Sequence, residues 1–313
     1  MWYYIGRRIL ATIPVVVIVA VLIFLMLRLT PGDPAAIIAG NAATADDIAK
    51  IRESLGLEKP LLVQFGQWIG GMFTGDFGQS YFYQRPVSQL ISDRLEPTVA
   101  LAALAIVLAT IIAVPLGTIA AARQGSWFDR LLMGASVLGF SVPVFVIGYL
   151  LIWFFSLKLG WFPVQGYQRL SEGFGGFIHR LILPAFALAF VYVALIARMT
   201  RTSVLEVLGE DYIRTARAKG LAPRQVLFRH ALRNAAVPIV TVIGIGIAAL
   251  IGGVVVTESV FNIPGLGRLT VDAVLARDYP TVQAVILLFA VAYVGINLLI
   301  DLAYTALDPR IRY

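Results

Sequence analysis

The chain has no cysteine, only two histidines and little charge, and each shortage removes a class of function. Without thiols there is no disulfide scaffold, Cys-ligated zinc, iron–sulfur cluster or thiol nucleophile, and the redox compartment goes unmarked. The two histidines, His179 and His230, fall on opposite sides of the membrane in the topology derived below, so they cannot share a metal ion, and no metal site is expected. No Gly-x-x-x-x-Gly-Lys-Ser/Thr loop, HExxH or GxSxG is found, which removes the usual signs of a nucleotide site, a zinc protease and a serine hydrolase. The chain is therefore not expected to be an enzyme. Charged residues make up 14% of it, against about 25% in soluble proteins. A water-facing surface for 313 residues would lack enough charge to cover it.

What the chain does have is apolar length. Apolar residues reach 59% and the mean hydropathy is +0.85. A bilayer core about 30 Å thick takes roughly 20 apolar residues of helix. Six uncharged runs meet this length or approach it: 9–27, 98–122, 131–157, 181–197, 235–257 and 282–300. The reading is an all-α, polytopic membrane protein with six transmembrane helices. None of the runs holds an ionisable residue, which argues against proton-relay chemistry. The net charge of +7 is read through its distribution rather than as a sign of nucleic acid. The termini and the segments 123–130 and 198–234 carry fourteen Lys and Arg against six acids, whereas the other side carries eleven against twelve. Both termini are expected in the cytoplasm. Arg7 and Arg8 precede the first run as in a signal peptide, but the run is too long for one and no small-x-small site follows. It reads as a retained helix, 1–28.

The extracytoplasmic region 29–97 is too long for a plain connection. Thr44 with Asp47 forms a capping-box pattern before Ile48, Ile51 and Leu55. Leu61, Leu62, Phe65, Trp68, Ile69 and Met72 predict a second amphipathic helix lying along the membrane surface. Gly75-Asp76-Phe77-Gly78 reads as a turn, either packed over the bundle end or exposed as a docking surface. The segment 98–313 contains the other five runs and the loop 198–234. In that loop, Val204, Leu208, Tyr212 and Thr215 or Ala216 keep helical spacing from Thr202 to Lys219. Gly220 breaks the pattern, and Pro223 can open a second helix containing Val226, Leu227, His230 and Ala231. Eight basic residues on a helix, Gly turn and second helix exceed what orientation needs, so the loop reads as a partner-binding elbow.

At these residues the chain resembles the inner-membrane permease subunits of ABC importers, in the DppB/OppB-like branch of the dipeptide, oligopeptide and nickel group. Tyr212–Leu221 (YIRTARAKGL), followed by HALRN at 230–234 and by Pro238, resembles that branch's version of the EAA loop. The likeness continues through RLTPGDPA at 28–35, GDFGQS at 75–80, RLEPTVALA at 94–102, LGWFPVQGY at 159–167, VFNIPGLGRL at 260–269, RDYPTVQ at 277–283 and LDPRIRY at 307–313. Arg214, Thr215 and Ala216 stand where the general motif has Glu-Ala-Ala, so Arg214 is not given the glutamate's role. The resemblance implies a type I importer (MetI-like) core of five helices. It also implies a homologous second permease, two ABC ATPase subunits that bind ATP and Mg, and an extracytoplasmic substrate-binding protein. The ATPases would meet Tyr212, Arg214, Thr215, Ala216, Arg217, Ala218, Lys219, Gly220 and Leu221. The binding protein would meet Asp76, Phe77, Asn262, Pro264 and Arg268. No cofactor is expected in this chain itself.

Pro143 falls mid-span and leaves the carbonyl near Gly139 without its donor, a gap that Ser141 is placed to fill. The kink there either lines the substrate path or only shapes the helix. Tyr192, Thr241, Tyr293 and Asn297 are polar groups within spans, with a substrate-path role or an internal hydrogen bond as alternatives. Gly244, Ala248 and Gly252 form a small-residue stripe that suits close helix packing. The expected function is ATP-driven import of di- or oligopeptides. Alternatives are nickel, glutathione-like or opine cargo on the same scaffold and, more remotely, a proton-coupled carrier.

Overall fold

The computed structural model describes residues 2–29, 35–36, 44–54 and 56–307; Leu55, most of the 28–35 motif and the tail 308–313, with Arg310 and Arg312, lie outside these. The described residues are helical apart from turns and one isolated antiparallel bridge between Gln79 and Pro86. The chain divides into two compact units, one of residues 1–96 and 265–295, the other of 97–264 and 296–313.

The first unit begins with α1 (Trp2–Leu29). Thr44 then opens α2 (Ala45–Ser54) with the expected box: its hydroxyl donates to Asp47 Oδ2 at 2.6 Å, and the Asp47 N–H donates back to Thr44 Oγ1 at 3.3 Å. The hydroxyl bond and a second from the Thr44 N–H to Oδ2, at 3.1 Å, hold the Asp47 carboxyl below its usual range. The next helix, α3 (Leu61–Thr74), stops at Gly75, whose φ of 79° turns the chain so that the Asp76 N–H reaches back to the Gly71 carbonyl at 2.9 Å. α3 packs Phe65, Trp68, Ile69 and Met72 against Ala20, Ile23 and Leu287. Phe24 of α1 meets the Phe65 ring edge-on at 5.4 Å. Aromatic contacts of this kind add about 0.5–1.5 kcal/mol beyond area burial. The unit is completed by the start of α4 (Val87–Ala122), by α10 (Leu266–Leu275) and by the start of α11 (Tyr279–Leu307), where Val87 and Leu90 pack with Leu266, Leu269 and Val285.

The second unit holds the rest of α4, α5 (Trp127–Ser141), α6 (Val144–Leu151), α7 (Phe174–Leu208) and α9 (Ala236–Phe261). Lipid tails are as apolar as leucine, so these helices associate through close packing rather than hydrophobic expulsion. The packing stripe runs along α4: Leu101, Ala105, Ala109 and Ala113 recur every fourth residue and are fully buried. Gly117 continues it, and a Cβ there would sit 2.4 Å from the Ala197 carbonyl oxygen of α7. Between α9 and α7 the close approach falls at Gly246, beside Tyr192, and at Gly253, beside Leu188. The predicted stripe on α9 is used only in part: Gly244 meets Ile300 and Ala248 is buried, but Gly252 faces open space.

Five described helices are long and apolar enough to cross a membrane; the third run is instead a broken pair, α5 and α6, bent by 106°. Val142 is extended (φ −93°, ψ 121°), as the residue before proline tends to be. Pro143 then starts α6, which continues as a π-helix over Ile152–Lys158. Ser141 Oγ donates to the Val137 carbonyl at 3.0 Å and not to that of Gly139. Pro184 lies well inside α7, which starts at Phe174. The acid-free run ending at Thr257 also needs correction at its edge: α9 carries on through Glu258, which is fully buried and accepts from Thr98 Oγ1 at 2.5 Å.

Candidate functional site

The elbow is built where α7 ends. The spacing predicted one helix from Thr202 to Lys219, but the chain breaks at Gly209 and Glu210, and α8 (Asp211–Ala218) begins afresh. Glu210 is extended at the N-cap (φ −71°, ψ 147°), and glycine is a poor helix former. The break changes the face turned inward. Ile213 is buried, and so is Ala216, one of the two alternatives expected on that face, while Tyr212, also expected there, and Thr215 are exposed. The three-residue spacing of Ile213 and Ala216 was the signal for this face. Burial against the rest of the unit and the negative charge of Glu210 push the Tyr212 phenol up, with a smaller opposing hydrogen bond to Asn234.

Arg214, Thr215, Arg217, Ala218, Lys219 and Gly220 present an exposed surface, and Leu221 is half-buried. The Arg214–Asp211 ion pair at 3.2 Å is open to solvent, so it adds little stability. Gly220 turns the chain with φ +77°, a left-handed value natural to glycine. Pro223 occupies the first turn of the returning segment, as expected. That segment continues as a π-helix, Val226–Ala231, before α9. Ile213, Ala216, Val226 and Ala231 form one apolar cluster with Ala121 of α4, Val204 of α7 and Ile239 of α9. The elbow is thus seated on three long helices. An open cleft of about 470 Å³ beside it is lined by Ala222, Arg224, Gln225, Phe228 and Arg229.

At the foot of the elbow, Arg201 of α7 grips Asp129 of α5 through both its Nε and its Nη2, the latter at 2.7 Å to Oδ2. The Gly125 N–H also donates to Asp129 Oδ2, at 2.9 Å, and Ser126 caps α5. Asp129 is 3% exposed. Charge of this kind is buried only when paired.

The substrate-path candidates all lie in the second unit. Ser141 and Pro143 are exposed at the break, Asn297 is half-buried, and Thr241 Oγ1 donates to the Val237 carbonyl at 2.8 Å. Tyr192 is 8% exposed, in the core. Of the docking candidates, Asp76, Phe77 and Arg268 belong to the first unit, Asn262 and Pro264 to the second. Asp76 Oδ1 accepts from the Gly78 N–H, and Phe77 packs beside the Val87–Leu266 cluster. Asn262 and Pro264 are exposed, and Asn262 ends α9 in the left-handed region. Arg268 lies 3.7 Å from Asp272.

Sequence reasoning missed Asp278. It is fully buried and accepts from Ser80 Oγ at 2.5 Å, Tyr81 N–H at 3.0 Å and Thr281 Oγ1 at 2.7 Å. It ties the 79–86 turn to the start of α11, leaving Phe82 exposed at the tip. The signal was present in two quoted motifs, since GDFGQS supplies Ser80 and RDYPTVQ supplies Asp278 and Thr281.

Residues 113–313 match the family described as "Binding-protein-dependent transport system inner membrane component", and residues 1–102 match its N-terminal region. A Sinorhizobium fredii protein described as a "Probable peptide ABC transporter permease protein" is 55% identical over the whole of both chains. A glutathione transport system permease of Salmonella paratyphi A is 45% identical over 99% of each. Among solved structures, an inward-facing form of the MetNI methionine ABC transporter shares the fold over 70% of this chain and 97% of its own, at 19% identity and a TM-score of 0.59.

Proposed function

The chain belongs to the binding-protein-dependent transport system inner-membrane components and is a multi-pass permease subunit of an ABC importer, and on that footing we propose that it carries di- or oligopeptides into the cytoplasm. A homologous permease would complete the translocation path, two ATPase subunits would bind ATP and Mg, and an extracytoplasmic binding protein would deliver the cargo. Both termini and the elbow would face the cytoplasm, in keeping with the Lys and Arg bias. Lipid of a bacterial inner membrane would surround the apolar helices.

One observation carries the reading: the elbow exposes Arg214, Thr215, Arg217, Ala218 and Lys219 while Ile213 and Ala216 are seated against α4, α7 and α9. A push on the exposed face would reach three long helices through one apolar cluster. Ser141, Pro143, Tyr192, Thr241 and Asn297 are candidates to line or shape the path. Asp76, Phe77, Asn262, Pro264 and Arg268 are candidates to receive the binding protein. The peptide assignment follows the name of the Sinorhizobium relative; a glutathione-like cargo follows that of the Salmonella relative.

Reconstitution of the tagged chain with its co-purifying subunits tests the reading. ATP-dependent uptake of labelled trialanine, competed by other short peptides, is the expected result. Uptake of glutathione that peptides do not compete would move the cargo to the second reading. Recovery of the chain alone, with no ATPase bound, would contradict the importer assembly.

A further inference from the structure

The broken span has a mechanical link to the elbow that nothing in the sequence marked. α8 rests on Val204 of α7 through Ile213 and Ala216. One turn before Val204 along α7, Arg201 reaches Asp129 with two guanidinium nitrogens. The same carboxylate takes the Gly125 N–H, so the turn joining α4 to α5 is held by the same pair. α4 and α7 already approach at backbone distance at Gly117. α5 also packs closely on α7 at Gly139, where a Cβ would sit 2.9 Å from the Ala194 side chain, and leads directly into the 106° break at Pro143. Its cytoplasm-proximal end is fixed to α7 by a bidentate ion pair, an arrangement with strict geometry that a single point charge would not impose.

We propose that Asp129 and Arg201 are positioning residues that make α5 move with α7 when the elbow is pushed, so that the break at Pro143 opens and closes in step with the ATPases. This rests on the elbow reading above. Without the pair, α5 would keep its packing on α7 near Gly139 but lose the fixed geometry at its other end, and the broken span would lose its timing. Neither residue touches cargo or nucleotide in this account; each acts through the other.

The test uses the reconstituted transporter with Asp129→Asn, Arg201→Gln and the double variant, and with labelled trialanine and glutathione as probes. The single variants are expected to lower uptake per ATP hydrolysed at least about fivefold, with ATP hydrolysis itself within about twofold of the parent. Removing both charges removes the unpaired buried charge, so the double variant should recover thermal stability. It should not recover uptake per ATP, because the bidentate link is still absent. Recovery of both together would make the pair merely structural and overturn the proposal, as would single variants that assemble and couple normally. A second readout does not need the ATPases: nitroxide labels on Leu131→Cys and Thr202→Cys, both exposed positions, in the chain held in nanodiscs. The parent should give one narrow distance and Asp129→Asn a clearly broader distribution. An unchanged distribution would overturn the strut even if the elbow couples, while a broadened one, together with failure of the reconstituted transporter to retain any ATPase, would keep the strut and sink the elbow reading.

Discussion

Gly220 carries the turn of the elbow in a backbone region that costs a branched residue about 1–3 kcal/mol, although the space beside its Cβ is open. Gly220→Val is therefore expected to leave the subunit inserted at normal level while uptake falls at least about tenfold, and Gly220→Asn, which tolerates the left-handed region, to retain most of it. Immunoblots of membranes alongside uptake assays separate the two effects; coupled transport at parental rate in the valine variant would contradict the role given to this turn. Asp278 supports a different expectation, because its three donors have one carboxylate as acceptor. Asp278→Ala leaves them without it, at about 1–3 kcal/mol for each buried group that finds no replacement. The 79–86 turn should then be cut faster by limited proteolysis. Unchanged cleavage would mean that the turn is held by something else.

At the scale of the helix, the close approach of α4 and α7 at Gly117 allows no side chain, since the obstacle is the Ala197 carbonyl rather than a mobile group. Gly117→Leu should cut the yield of folded protein severalfold on size-exclusion chromatography, whereas Gly252→Leu, facing open space, should leave it near normal. Equal losses would remove the distinction drawn between the two stripes. The sequence showed part of this packing, on α9, and missed the stripe on α4, because a small-residue stripe records permission for close approach but not the partner. The Thr44–Asp47 cap and the Gly220–Pro223 turn were legible because each is decided within a few residues. The break at Gly209 was not, because it replaced one helical face with another of similar spacing. Burial of Glu258 and Asp278 was hidden for a further reason: their partners Thr98 and Ser80 lie 160 and 198 residues away along the chain. The 106° bend had its cause in plain view at Pro143, but proline alone does not fix an angle.

For the whole molecule, the proposed function would draw its energy from partner ATPases and receive it through one elbow. α8 offers its exposed face outward and its buried face to α4, α7 and α9, and α5 is tied to the same base through Asp129 and Arg201. Membership of the importer family, with close relatives matched along their full length, supplies the frame in which that geometry has a use. The natural absence of cysteine makes the central claim directly measurable. A single Ala218→Cys, on the exposed side of α8, would be treated in membranes of the assembled transporter with a short homobifunctional thiol reagent against single cysteines in the ATPase subunit. The account predicts a permease–ATPase adduct from Ala218→Cys whose yield changes when ATP is added, and none from Phe73→Cys in α3. Absence of any adduct at position 218, with the complex shown to be intact, would contradict the elbow as the point where the ATPases act.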